Sequence, residues 1–212
     1  MAASFVDATT QVDLAATSST IAVPSSTNGD LLICMLHAHA ATGPFDITRP
    51  DFGWTVLTAA GHTTSQFQMS ARRADNEPTD YTWTFDETSD IAMIMLCYSP
   101  AELKSHYTAA TDLLNTYTAG SATSRFDDQR ILRIYGSVGD GSETITVPSA
   151  TTARAEIEQA EAWLAIGDET QASAGATGTA DFTTSGTGTN RLVVTYVIEN
   201  LIGAAGLALF VD

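Results

Sequence analysis

The sequence predicts an all-β protein, an antiparallel β-sandwich with at most one or two short helices. Three observations lead there. Threonine is abundant, in runs such as Thr63-Thr64, Thr151-Thr152 and Thr183-Thr184. Its β-branch, one methyl and one hydroxyl, suits a strand with one wet face. Short apolar or alternating runs recur between turn residues, at the spacing expected of a sandwich. Helical periodicity is confined to two segments.

The elements follow in order. Ile21-Ala22-Val23 precedes Pro24, and Leu31 to Leu36 follows the turn signal Asn28-Gly29-Asp30. Trp54 to Leu57 follows Gly53. From Phe67 to Arg72 apolar Phe67, Met69 and Ala71 alternate with Gln68, Ser70 and Arg72. Tyr81-Thr82-Trp83-Thr84-Phe85 alternates strictly, and Ile91 to Tyr98 is nearly all apolar, the pattern of a central strand. Further strands are expected at Ile131 to Val138, Thr144 to Val147, Arg191 to Ile198 and Leu207 to Val211. The stretch Ala153 to Ile166 places Ile157, Ala160 and Leu164 at helical spacing, and also alternates near its end. A helical turn followed by a strand from Ala162 to Asp168 is expected. Leu103, Tyr107 and Ala110 share a face within Ala101 to Leu114, a second short-helix candidate.

The chain has 212 residues, 44% apolar and 16% charged, enough for a packed core. Thr20-Ile-Ala-Val-Pro-Ser-Ser-Thr27 echoes Thr144-Ile-Thr-Val-Pro-Ser-Ala-Thr151, and the run from Tyr81 into Ile91–Tyr98 echoes Phe182 into Arg191–Ile198. One sandwich over residues 1–212 with two similar halves is the preferred organisation. Two small sandwiches, 1–115 and 130–212, are the alternative, with Thr116 to Gln129 as linker or crossover.

Charge narrows the partners. Nine basic against 25 acidic residues leave a net charge of −16, which repels a phosphate backbone and an anionic bilayer alike, so neither nucleic acid nor membrane is an expected partner. No window holds 18 continuous apolar residues. The N-terminal MAASFVDATTQVD lacks a basic region followed by an apolar one, so a standard signal peptide is not expected.

Few side chains are placed for chemistry. His37 and His39 fall on one face of a strand, a spacing at which two imidazoles can bind one metal ion. Cupins use such a pair with a Glu shortly after it and a third His in a later motif. Here Ala40-Ala41-Thr42-Gly43-Pro44-Phe45 follows, and His62 and His106 lack the accompanying motif. No metal and no cofactor is expected. Asp86-Glu87 with Asp90, and Asp140-Gly141-Ser142-Glu143, read as solvated turns and not as a twelve-residue calcium loop. Gly-x-Ser-x-Gly is absent, and neither Cys34 nor Cys97 has a catalytic motif. Both cysteines sit in apolar runs and read as buried free thiols; a cross-strand disulfide is the alternative. Trp54, Trp83 and Trp163 read as core anchors, or as a sugar-binding or oligomer face if exposed. The apolar C-terminal run makes Leu207, Leu209, Phe210 and Val211 interface candidates.

The order of landmarks in residues 20 to 98 resembles a family of jelly-roll-like domains in virion surface proteins of tailed bacteriophages. The pieces are Thr20-Ile-Ala-Val-Pro24, Gly29-Asp30-Leu31-Leu32, Pro50-x-x-Gly53-Trp54-Thr55-Val-Leu57, Ala71-Arg72-Arg73-Ala74 with Glu77-Pro78, and Tyr81-Thr-Trp-Thr-Phe85 before a long apolar strand. The chain departs from the pattern at Cys97-Tyr98-Ser99-Pro100, where a Tyr-x-Gly ending is expected. The resemblance implies a jelly-roll-like sandwich without catalytic residues, made in the host cytoplasm and placed on the virion surface. It implies a capsid decoration (cement) protein that binds the major capsid protein or another virion protein, as a homotrimer. A tail- or fibre-associated receptor- or glycan-binding module is the alternative.

Overall fold

Alternation and continuous burial divide the longest strands into two kinds of segment. The computed structural model describes residues 3–43, 45–50, 53–111, 116–139, 144–159, 161–186 and 188–199, with backbone alone for 102–111, 116 and 159. The first half of the chain forms β1 (Ser4–Ala22), β2 (Leu31–Ala40), β3 (Ile47–Thr48), β4 (Thr55–Gly61), β5 (Ser65–Arg73) and β6 (Asp80–Ser99). The second half forms β7 (Glu102–Thr111), β8 (Thr116–Ala119), β9 (Thr123–Ser124), β10 (Gln129–Val138) and β11 (Ile145–Thr146). It continues with β12 (Thr152–Gln159), β13 (Ala162–Gln171), β14 (Gly175–Ala176), β15 (Ala180–Thr184) and β16 (Thr189–Glu199). All ladders are antiparallel, and no helix occurs among the described residues.

In β6, Tyr81, Trp83 and Phe85 are buried while Thr82 and Thr84 are exposed, because only one face of this segment meets the interior. From Ile91 to Tyr98 every residue is buried, because both faces are covered. β1 follows β6 along its whole length. It is interrupted between Asp13 and Ser18 by register shifts, where Ala15 takes a positive φ of 50°. Asp90 Oδ1 accepts the Ala15 N–H at 2.9 Å and secures that irregular backbone.

The sheet orders show that the halves share one plan. The first large sheet is β1-β6-β2-β5-β4; the second, read from its far edge, is β7-β16-β10-β13-β12. β3 pairs Ile47 and Thr48 with Phe85 and Thr84 of β6, and β11 pairs Ile145 and Thr146 with Thr184 and Thr183 of β15. β15 also pairs with β8. Leaving out the short β9–β14 pair, the segments of the second half can be numbered one to eight. The large sheet then reads 1-8-3-6-5 and the small one 2-7-4, which is jelly-roll connectivity with segment 5 moved to the larger sheet. The first half follows the same path, with β1 and β6 each supplying two segments.

Three main apolar clusters separate the layers. One lies inside the first jelly roll, with Trp83, Tyr81 and Ile21 over Leu32, Cys34, Leu36 and Met95. A second lies inside the second jelly roll, with Tyr117 and Phe182 over Tyr135, Trp163 and Val193. The third joins the two large sheets face to face, with Ile33, Met35, Met69, Ile94 and Leu96 from the first half against Ile134, Leu164, Ile166, Val194 and Ile198 from the second. Burying each such side chain contributes about 1.5–3 kcal/mol, so the contact between halves is itself a core.

That contact is asymmetric at its centre. Aligning Tyr98 with Ile198 in the registers puts His37 at the place of Gly136, and Phe67 at that of Leu164. A Cβ at Gly136 would lie 2.4 Å from Phe67 Cε1. The missing side chain in one half thus admits the large ring of the other.

Several sequence expectations need correction. The helical turn expected at the start of Ala153 to Ile166 is β12, which runs through a turn at Glu161 into β13. Ile157, Leu164 and Ile166 all face the contact between halves, and their helical spacing spans two strands. Of the helix expected within Ala101 to Leu114, Glu102–Thr111 is β7, paired with β16 along its length, and residues 112–114 lie outside the described residues. The first part of β1 was not foreseen, because an edge strand with a half-exposed face reads as polar chain. The echo between Thr20–Thr27 and Thr144–Thr151 joins unlike places: Ile145-Thr146-x-Pro148 occupies the position of Ile47-Thr48-x-Pro50. The echo of the run from Tyr81 with the run from Phe182 does join equivalent segments, and the registers set Trp83 against Phe182. Thr116 to Gln129 carries β8 and β9, and Leu207, Leu209, Phe210 and Val211 lie outside the described residues.

Candidate functional site

The residues with chemical potential concentrate where the two halves meet. β2 turns His37 and His39 toward the second half, on the face that carries Ile33 and Met35. His37 is fully buried, stacked on Phe67 with ring centroids 4.0 Å apart. The Trp163 N–H of β13 donates to its Nδ1 at 3.2 Å. Nε2 therefore carries the ring proton, and among the described residues no hydrogen-bond acceptor faces it. Burial, with lesser contributions from His39 and His62, lowers the His37 pKa from 6.5 to about 3. The imidazole is neutral and enclosed.

His39 sits at the rim. Its Nδ1 comes within 2.7 Å of Glu161 Oε2 in the turn before β13, an ion-pair contact without hydrogen-bond alignment. The strand does bring the two histidines to one face, as their spacing predicts. Yet one is sealed between sheets and the other is engaged by a carboxylate. Among the described residues no three His, Cys, Asp or Glu side chains converge as metal ligands. The side chain of His106 and the Asp140–Glu143 cluster are outside the described residues.

A second polar cluster crosses the same contact. Tyr98 at the end of β6 donates to Asp168 Oδ2 of β13 at 2.8 Å. Asp168 is fully buried and is held by Arg154 at 2.8 Å and Arg130 at 3.6 Å. Arg154 also lies 4.4 Å over the Phe5 ring. Burial and the neighbouring carboxylate push the Tyr98 phenol well above its ordinary pKa, so it acts as a donor and not as a base. Thr58 of β4 and Tyr196 of β16 share another hydrogen bond between the halves.

Inside the second jelly roll Arg133 is buried and saturated. Nε and Nη2 donate to Glu169 Oε1 at 3.0 and 2.8 Å, and Nη1 donates to Thr195 Oγ1 at 2.8 Å. The remaining donors reach the carbonyls of Gly120, Thr177 and Gly178. This guanidinium closes the end of the second jelly roll, between the loops that flank β9 and β14. The register places Cys34 at the equivalent position of the first half. There the corresponding end is an open depression of about 320 Å³, between residues 23–28 and 74–79, with Pro24, Asn28, Asn76 and Pro78 in its wall. Glu77 at its side is tied to Arg72 at 3.1 Å and to the Tyr81 hydroxyl.

The other candidates are structural. Asp86 Oδ1 accepts the Asp46 N–H at 2.6 Å, and Asp90 caps Ala15. Trp54, Trp83 and Trp163 are all buried. Cys34 and Cys97 are free, buried thiols; burial raises both, Cys97 to about 12, with Asp30 adding to that shift. Asp30 itself would be raised by burial, but hydrogen bonds from Ser99, Thr27 and Cys97 hold its carboxyl below the usual value.

The two carboxylate–arginine clusters were missed in the sequence. A signal was present: Lys104 is the only lysine, so eight of the nine basic residues are arginine. That bias suits buried, multidentate ion pairs. Comparison with protein-family models, curated proteins and solved structures found no match.

Proposed function

We propose that this chain is a non-enzymatic structural protein that coats the outer surface of a tailed-bacteriophage head and stabilises it. The observation that carries this reading is the use made of the interior. Two jelly rolls stand back to back, and their three cores are filled by interlocked apolar side chains. Among the buried polar groups, Tyr98, Asp168 and His37 fix one half to the other and Arg133 closes loops. Such a body resists deformation and presents broad surfaces, as a cementing module requires. The specific link to virions comes from the order of landmarks in residues 20–98, and the partner that follows is the major capsid protein. The acidic surface suits a protein that must stay soluble and off packaged DNA.

The open depression of the first half favours one second reading, a receptor- or glycan-binding module on a tail or fibre. Immunogold electron microscopy of virions carrying the chain separates the two. Regular label over heads is the expected result. Label confined to tail tips or fibres would transfer the proposal to the adhesion reading, and unlabelled particles would remove both.

A further inference from the structure

Open sheets must blunt their edge strands or use them. The two large sheets have four outer strands: β1, β4, β7 and β12. β1 carries Asp7 and Asp13, β7 carries Glu102 and Lys104, and β12 carries Arg154, Glu156 and Glu158. β4 reads Thr55-Val-Leu-Thr-Ala-Ala-Gly61, with no charge and no proline. Of these four outer strands it is the uncharged one, in a chain whose net charge is −16. Thr55, Val56, Ala59 and Gly61 are exposed, Val56 to 37%. Among the described residues β4 pairs only with β5. A register shift at Leu57 leaves Thr58–Gly61 as a regular run of small side chains, over which another backbone can approach.

We infer that the free edge of β4 is a self-association surface, on which two copies of this chain pair β4 against β4, antiparallel, into a dimer. Charge selects the occupant. A basic partner would be drawn to the acidic faces and not to the edge that offers no charge. A second copy brings −16 of its own and is repelled wherever acidic side chains meet, so a neutral edge is where two copies approach at least electrostatic cost. Antiparallel pairing of identical strands is isologous: each copy satisfies the other's free backbone groups, and the assembly closes at two. The result is one continuous sheet across both copies, β1-β6-β2-β5-β4 followed by its mirror in order. This inference goes beyond the proposed coat role, whose family resemblance carries a trimer.

Sedimentation velocity of the full chain over a wide concentration range is the test. The expected mass is twice 22.3 kDa. Val56→Lys and Ala59→Lys each put a charge on the exposed edge and should return the mass to that of a single chain, with circular dichroism unchanged. Ala153→Lys, on the already charged edge β12, should leave the dimer intact. Hydrogen exchange should show β4 amides protected in the dimer and exposed in the two edge variants. A wild-type chain that stays monomeric, a trimer, or a dimer that survives both edge variants would each overturn the pairing. A trimer would leave the coat reading standing.

Discussion

His37 shows how one residue couples pH to the contact between halves. Its folded pKa is about 3 against 6.5 in an exposed chain. The unfolded state therefore takes up a proton below pH 6.5 while the folded state does not until about pH 3. Stability from this group is complete above 6.5 and falls with acid by about 1.4 kcal/mol per pH unit through that window. Urea unfolding between pH 6.5 and 4.5 should show this slope, and His37→Asn should remove it, since its Oδ1 can replace Nδ1 as acceptor for the Trp163 N–H. A slope unchanged in the variant would mean that His37 is not the titrating group. Gly136 makes a sterically opposite prediction. Gly136→Ala sets a methyl 2.4 Å from Phe67 Cε1 and should cost about 1–3 kcal/mol. Combining it with Phe67→Leu should recover part of that loss, and additive effects would deny the contact.

At the scale of elements, β6 carries its own burial map: alternation where one face is wet, continuous apolar residues where both are covered. That much was legible from Tyr81 to Tyr98. The polar clusters were not, because Tyr98, Arg130, Arg154 and Asp168 come from four strands, and only packing brings them together. They also predict unequal costs. Tyr98→Phe removes one hydrogen bond and should destabilise by about 1 kcal/mol. Asp168→Asn leaves the two guanidinium groups without their counter-charge and should cost about 3–5 kcal/mol, read as a shift in the urea midpoint. Equal effects would show that the phenol, and not the arginines, is what Asp168 serves.

For the whole molecule, the two jelly rolls share the cluster between their large sheets, so cutting the chain between β6 and β7 tests their dependence. A fragment ending at Ser99 would present Ile33, Met35, Met69, Ile94 and Leu96 to water. It should bind a hydrophobic dye and aggregate, and mixing both fragments should restore a soluble complex. A soluble, cooperatively unfolding first fragment would show instead that each half folds alone. The asymmetry of His37 and Phe67 against Gly136 and Leu164 further predicts that the first half does not pair productively with itself.

The sequence by itself determined the all-β class and most strand positions, because period-two alternation and turn residues are local signals. It showed similar halves, but misaligned one echo, since a short motif of Ile, Thr, Val and Pro recurs wherever a strand ends at a turn. Only the tertiary structure decided that both halves share one path, that their large sheets face each other, and that Arg130, Arg133 and Arg154 pair with carboxylates inside the fold. Those facts depend on which distant strands become neighbours, and hydrogen-bond registers and side-chain volumes settle that choice only once the chain is folded.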